Sequence, residues 1–348
     1  MLKALPVPCT SAYIAGKDLL IMSGNNYFSK AQSARKPRLL QFSDASFEDG
    51  VMLAEFEGRA NALLQTFGSF TFLGLDNKLF SSVDLKEWKS VLEAEDQGNI
   101  FWHMAEVGDG TLFVQEYGSA PTGIYRSEDA GETWKKMVSS KEIDRGARHF
   151  HSLAYDQYRD LLIATLGDGN LVKMAISEDH GETWKALSTA AYQCLPITVL
   201  DDRIVFGMDS AISRGIVIWE PSSNQWQQIH LKCKAKLGET KSLQSSDLRR
   251  LSNGIWIMST GEGSILVSDN LRRWRFLISG ENKRFESHMI SNESNGIVAV
   301  AMIDKTIIVD SETLEGSPCF EDVMQYNAFI PRIRGFGYVI KRLPDRRK

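Results

Sequence analysis

Cysteine is scarce in this chain. Four residues in 348, at positions 9, 194, 233 and 319, form no C-x-x-C pair. That scatter excludes a zinc knuckle and a disulfide framework and reads as reduced thiols. An excess of one charge is also lacking. Lys and Arg (40) nearly balance Asp and Glu (44), leaving a net charge of -4, so no general field draws the chain to nucleic acid or to an anionic membrane. The basic tail "IKRLPDRRK" reads as a solvated end. No stretch approaches the roughly 18 apolar residues of a membrane span. Pro6 and Pro8 interrupt the N-terminus before an apolar h-region can build, so no secretory leader is read and a cytoplasmic location is expected. G-x-S-x-G, H-E-x-x-H, a Walker A loop and a helix-opening G-x-G-x-x-G are all missing, and basic residues are not interleaved with aromatics.

What is present is a repeat. "SEDAGETW" runs from Ser127 to Trp134 and "SEDHGETW" from Ser177 to Trp184. Shortened copies are "SVDLKEW" (Ser82 to Trp88), "SDNLRRW" (Ser268 to Trp274) and the relic "SSNQW" ending at Trp226. The tryptophans at 88, 134, 184, 226 and 274 lie 42 to 50 residues apart, the length of a four-stranded propeller blade. Extrapolation adds "QFSDASFED" before them and "IVDSETLEG" after them. Between boxes the chain reads as short apolar strands bounded by Gly, Asp and Asn, as in "FHSLAYD", "LLIATLGDG" and "VKMAIS". The expectation is an all-β fold: one β-propeller domain over residues 1–348, with seven blades of four antiparallel strands. Six or eight blades also fit the period. The segment "AFIPRIRGFGYVIKR" is expected to carry two further strands and to close the ring with the N-terminus.

The box has a physical reading as a turn between the third and fourth strands. Ser and Asp bond backbone amides, Gly permits a positive φ, and Trp fills the apolar gap beside the hairpin. Chemistry is not needed once per blade, so the box reads as structural. The phrase resembles the Asp-box, or BNR repeat, of the sialidase-like superfamily. That resemblance implies peripheral structural turns far from any active site. Sialidases use an arginine triad, a tyrosine paired with a glutamate, and an aspartate; their Arg-Ile-Pro near the first blade is not found here. Several β-propeller polysaccharide lyases use a His or Tyr base with a cation or Arg that neutralises the uronate carboxylate, and Asp-box propellers also resemble sortilin-type receptors and photosystem assembly factors.

In a propeller, ligands gather at the mouth built by the loops entering the innermost strands and the loops between second and third strands. Four of the six histidines fall in those entries: His103, His149, His151 and His288. His149 and His151 are two apart, which puts them on one face of a strand and turns both toward the channel. With Asp168 and Asp209 they form the candidate catalytic set, a neutral His taking a proton. Arg59, His103, Tyr117, Arg148, Tyr192, Gln193, Arg284 and His288 are the candidate substrate-binding set. No cofactor is called for, although His149, His151 and a third His are an alternative divalent-metal set.

Two classes of function fit these residues. The first is a carbohydrate-active propeller, hydrolase or lyase, whose arginines pair the carboxylate of an acidic glycan or sugar derivative. The second is a non-catalytic propeller that binds a protein or glycan, because fold alone does not select function.

Overall fold

A computed structural model describes residues 2–24, 36–43, 47, 49–119, 121–167, 173–187, 194–208, 215–233, 244–261, 263–280, 287–314 and 323–326. Strand β1 (Leu2–Leu5) precedes blade one, which is β2 (Ser11–Ala15), β3 (Asp18–Ser23), β4 (Arg38–Phe42) and β5 (Gly50–Glu55). Blade two is β6 (Ala60–Phe67), β7 (Phe70–Leu75), β8 (Lys78–Ser82) and β9 (Lys89–Glu93). Blade three is β10 (Ile100–Glu106), β11 (Leu112–Tyr117), β12 (Gly123–Ser127) and β13 (Lys135–Ser139). Blade four is β14 (Phe150–Asp156), β15 (Leu161–Leu166), β16 (Lys173–Ser177) and β17 (Lys185–Leu187). Blade five is β18 (Cys194–Val199), β19 (Ile204–Met208), β20 (Gly215–Glu220) and β21 (Gln225–Cys233). Blade six is β22 (Ser245–Arg250), β23 (Trp256–Thr260), β24 (Ile265–Ser268) and β25 (Arg273–Ile278). Blade seven is β26 (Ser287–Ile290), β27 (Ile297–Met302) and β28 (Thr306–Asp310), and β29 (Val323–Tyr326) comes after it.

The fold is therefore a seven-bladed propeller of antiparallel meanders. The N-terminus completes blade seven, where β1 pairs with β28 in the register Leu2↔Val309 to Leu5↔Thr306. Asn292 adds a side-chain seam between blades seven and one. Its Oδ1 accepts from Ile14 N at 2.8 Å, and its Nδ2 donates to Ile14 O at 2.7 Å. At the other end of the chain, β29 joins the outermost strands of blades five and six. The two strands expected within residues 328–342 lie outside the described residues.

Packing explains the composition of each strand. Seven apolar clusters stand among the described residues, one between each pair of adjacent blades. A second or third strand has neighbours on both faces, so β20, β27 and β28 read as nearly continuous apolar runs. Outermost strands such as β5 and β9 face water and are mostly exposed.

The boxes sit between third and fourth strands, as expected. Ser127 Oγ accepts from Gly131 N at 2.8 Å, Asp129 Oδ1 accepts from Thr133 N at 2.9 Å, and Trp134 Nε1 donates to Gly131 O at 3.1 Å. The second box repeats these bonds within 0.1 Å, from Ser177 to Trp184. Gly131 has φ +90°, and a Cβ there would stand 2.5 Å from Phe72 of blade two. Trp134 meets the same ring edge-on, with centroids 6.3 Å apart. The box thus wedges one blade against the previous one. In the shortened copies Leu85 and Leu271 take the glycine's place at φ 65° and 64°. Each still gives its N–H to the box serine and its carbonyl to the Trp indole.

Candidate functional site

The innermost strands share a device that governs which side chains reach the channel. Register shifts mark Phe101/His103 in β10, Phe150/Ser152 in β14 and Ser245/Asp247 in β22. One extra residue bulges at each place: Trp102, His151 and Ser246. A bulge breaks the two-residue alternation and re-aims the side chains beyond it. The first residues past it, His103, Ser152 and Asp247, all line a central cavity of about 310 Å³, together with Gln65, Thr198 and Arg249.

This placement changes the reading of the histidine pair. His149 stands just before β14 and His151 is the bulged residue. Their rings do meet, with centroids 4.7 Å apart at 87°. Both are buried, at 1% and 3% exposure, and neither lines the cavity, whereas Ser152 and His103 do. The two rings share a side, and the bulge gives the cavity wall to Ser152.

The two rings belong instead to an aromatic stack at the entry mouth of blades three and four. Trp102 lies over His103 (5.2 Å, 29°) and meets Tyr117 edge-on (4.5 Å, 76°). Tyr117 then packs on His149 at 4.5 Å and on His151 at 5.9 Å. Backbone carbonyls hold the imidazoles. His151 Nε2 donates to Gly167 O at 2.9 Å, and His149 Nδ1 donates to Gly118 O. Arg148 Nε lies 3.1 Å from the same Nδ1. A carbonyl only accepts, so the proton belongs on Nδ1, and that nitrogen cannot also accept from Arg148. Trp102 and Tyr117 are half-buried and Arg148 is exposed.

His103 is held differently. Gln115 Nε2 donates to Glu116 O (3.0 Å) and Phe150 O (3.3 Å), which fixes the amide and turns its Oε1 to His103. His103 Nδ1 therefore donates to Gln115 Oε1 at 3.2 Å and leaves Nε2 as an acceptor. Burial pushes the His103 pKa down to about 4, against the pull of nearby Asp247, so the ring is neutral at neutral pH. Asp247 spends Oδ1 on Leu248 N and Oδ2 on Ile290 N, both at 2.8 Å, which ties blade six to blade seven. Arg249 Nε stands 3.5 Å from Asp247 Oδ2.

Of the remaining candidates, Arg59 pairs with Asp76 at 3.4 Å on the surface of blade two. Asp168, Tyr192, Gln193, Asp209 and Arg284 lie outside the described residues, as does the His288 side chain, whose backbone is in β26. Glu116, beside Tyr117 at the end of β11, is consumed by Gly123 N (2.6 Å) and the Tyr125 hydroxyl (3.1 Å). Burial raises its pKa, so it is a structural carboxyl between strands. No group of three or more His, Cys, Asp or Glu converges as a metal-ligand set among the described residues. Sequence reasoning passed over Gln115, Asp247 and Arg249. The usable signal was the polar alternation Asp247-x-Arg249 inside an innermost strand.

No protein-family model matches this sequence, and no curated protein does. Similarity appears with solved structures. YCF48 bound to D1 peptide superposes with a TM-score of 0.59 and 14% identity, over 88% of this chain and 95% of that one. A streptogramin B lyase gives 0.63 and 13%, over 88% and 96%. The RRP9 WD40 repeats give 0.61 and 9%, over 89% and 97%. At such identities the likeness establishes the propeller fold and nothing finer.

Proposed function

We propose that this protein is a non-catalytic propeller that binds an extended peptide or protein segment at the entry mouth of blades three and four. One observation carries the reading: His149 and His151 give ring protons to backbone carbonyls and stack in a packed aromatic surface. A general base needs a ring nitrogen within reach of the substrate proton. These rings are buried and act as supports for Tyr117 and Trp102. Half-buried aromatics beside an exposed arginine are the residue types that dominate protein interfaces. One of the similar structures carries a bound peptide. The box turns, whose sequence resembles the Asp-box, serve as wedges between blades.

Selection of a displayed random-peptide library on the intact protein tests the proposal. Selected peptides should lose about tenfold or more in affinity against Tyr117→Ala or Trp102→Ala, and keep it against Asp129→Ala, at the remote turn. Failure to enrich any peptide, or enriched peptides indifferent to Tyr117 and Trp102, would contradict it.

A further inference from the structure

The central cavity meets the aromatic stack only at His103 and has chemistry of its own. Asp247 and Arg249 are two apart in β22, past its bulge, so both face inward. Arg249 Nε is buried against Asp247 Oδ2, yet 37% of the Arg249 side chain is accessible. Arg249 lines the cavity with its side chain partly accessible. Asp247 stands beside Nε as an ion-pair neighbour at 3.5 Å without a hydrogen bond, so the terminal edge of the planar fork is the one suited to pair a carboxylate with two parallel N–H bonds. His103 of blade three also lines the cavity, and its tautomer, set through Gln115, leaves Nε2 as an acceptor. Ser152 also lines the space. Exposed Arg250 borders the same cavity, as does Glu293, which is held by Ser252 N (2.6 Å) and Ser252 Oγ (2.8 Å). Both lie at the exit ends of the innermost strands, away from the aromatic stack.

We infer that this cavity is a binding site for a small carboxylate carrying a hydrogen-bond donor on the adjacent carbon, a 2-hydroxy or 2-amino acid. The carboxylate pairs with the Arg249 fork and the donor meets His103 Nε2. A cavity of about 310 Å³ admits a molecule of this size with room for water. An unbranched acid without the donor leaves His103 unmatched. An amide in place of the acid loses the ionic half of the pairing.

Calorimetric titration of the full chain with lactate and with alanine tests the site, with lactamide as the uncharged control. At least one acid should bind saturably below about 10 mM, and lactamide at least about tenfold more weakly. Arg249→Gln should abolish binding. Arg249→Lys, which keeps the charge and loses the fork, should weaken it about tenfold with an unchanged melting temperature. The second variant keeps the test decisive if the first fails to fold. Absence of saturable binding by both acids, equal binding of lactamide, or full retention of binding in folded Arg249→Lys would each overturn the inference. None of these outcomes bears on peptide binding at the other mouth.

Discussion

Replacing the box serine should cost more than replacing the aspartate from which the motif takes its name. Ser127 is buried at 2% exposure, and its Oγ accepts from the buried Gly131 N–H at 2.8 Å. Ser127→Ala strands that donor where water does not reach, at a cost of about 1–3 kcal/mol. Asp129 is exposed, and so are the Thr133 groups that it accepts from. Water replaces the carboxylate when it is removed, so Asp129→Ala should cost only about 0.5–1 kcal/mol, the low end for loss of a capping side chain. The same order should hold for Ser177 against Asp179. Urea unfolding of the four variants measures this as shifts in midpoint at constant m. An Asp129→Ala loss equal to or above that of Ser127→Ala would refute the argument from burial. The aspartate has a pH signature as well. Hydrogen bonds from Thr133 and Ser127 hold its pKa down at about 2, below the unfolded value. Its small contribution is therefore present above about pH 4 and fades as pH falls toward 2.

His103 should make the fold acid-sensitive in a higher window. Its folded pKa of about 4 lies below the unfolded value, so as pH falls from about 6.5 the unfolded chain takes the proton first and stability drops, by at most about 3 kcal/mol by pH 4. His103 is half-buried on the cavity wall, which reduces that figure, and His103→Phe should flatten the unfolding free energy across this range in pH-resolved urea melts. Asn292→Ala removes two backbone-directed bonds across the closing seam and should lower stability by about 1–3 kcal/mol, with faster amide exchange at Ile14. The thiols of Cys9 and Cys194 are buried, and burial raises both pKa values, that of Cys9 to about 12; neither should react with a thiol reagent at pH 8 until the protein unfolds.

Much of the architecture was legible because propeller blades repeat and repeats show in sequence. "FHSLAYD" is strand β14, residue for residue, and the tryptophan period counts the blades correctly. The boxes were legible as turns because their donors and acceptors are local. The candidate site was less so. His149 and His151 do share one side, as strand alternation gives, but the bulged residue in β14 puts Ser152 rather than either histidine on the cavity wall. The same bulge in β22 hid Asp247 and Arg249, since the face that a residue presents after a bulge depends on pairing with the next strand. The tautomer of His103 depends on Gln115, twelve residues away on β11, a contact that only the fold creates.

Hydrogen-exchange footprinting of the intact protein with a selected peptide tests binding at the stack most directly. Protection should rise in residues 100–103, 115–118 and 148–152, around Trp102, Tyr117 and Arg148, and should be lost in Tyr117→Ala while exchange elsewhere stays as in the wild type. Protection confined to the outer strands or to the box turns, with these three segments unchanged, would contradict the assignment of the entry mouth as the binding surface.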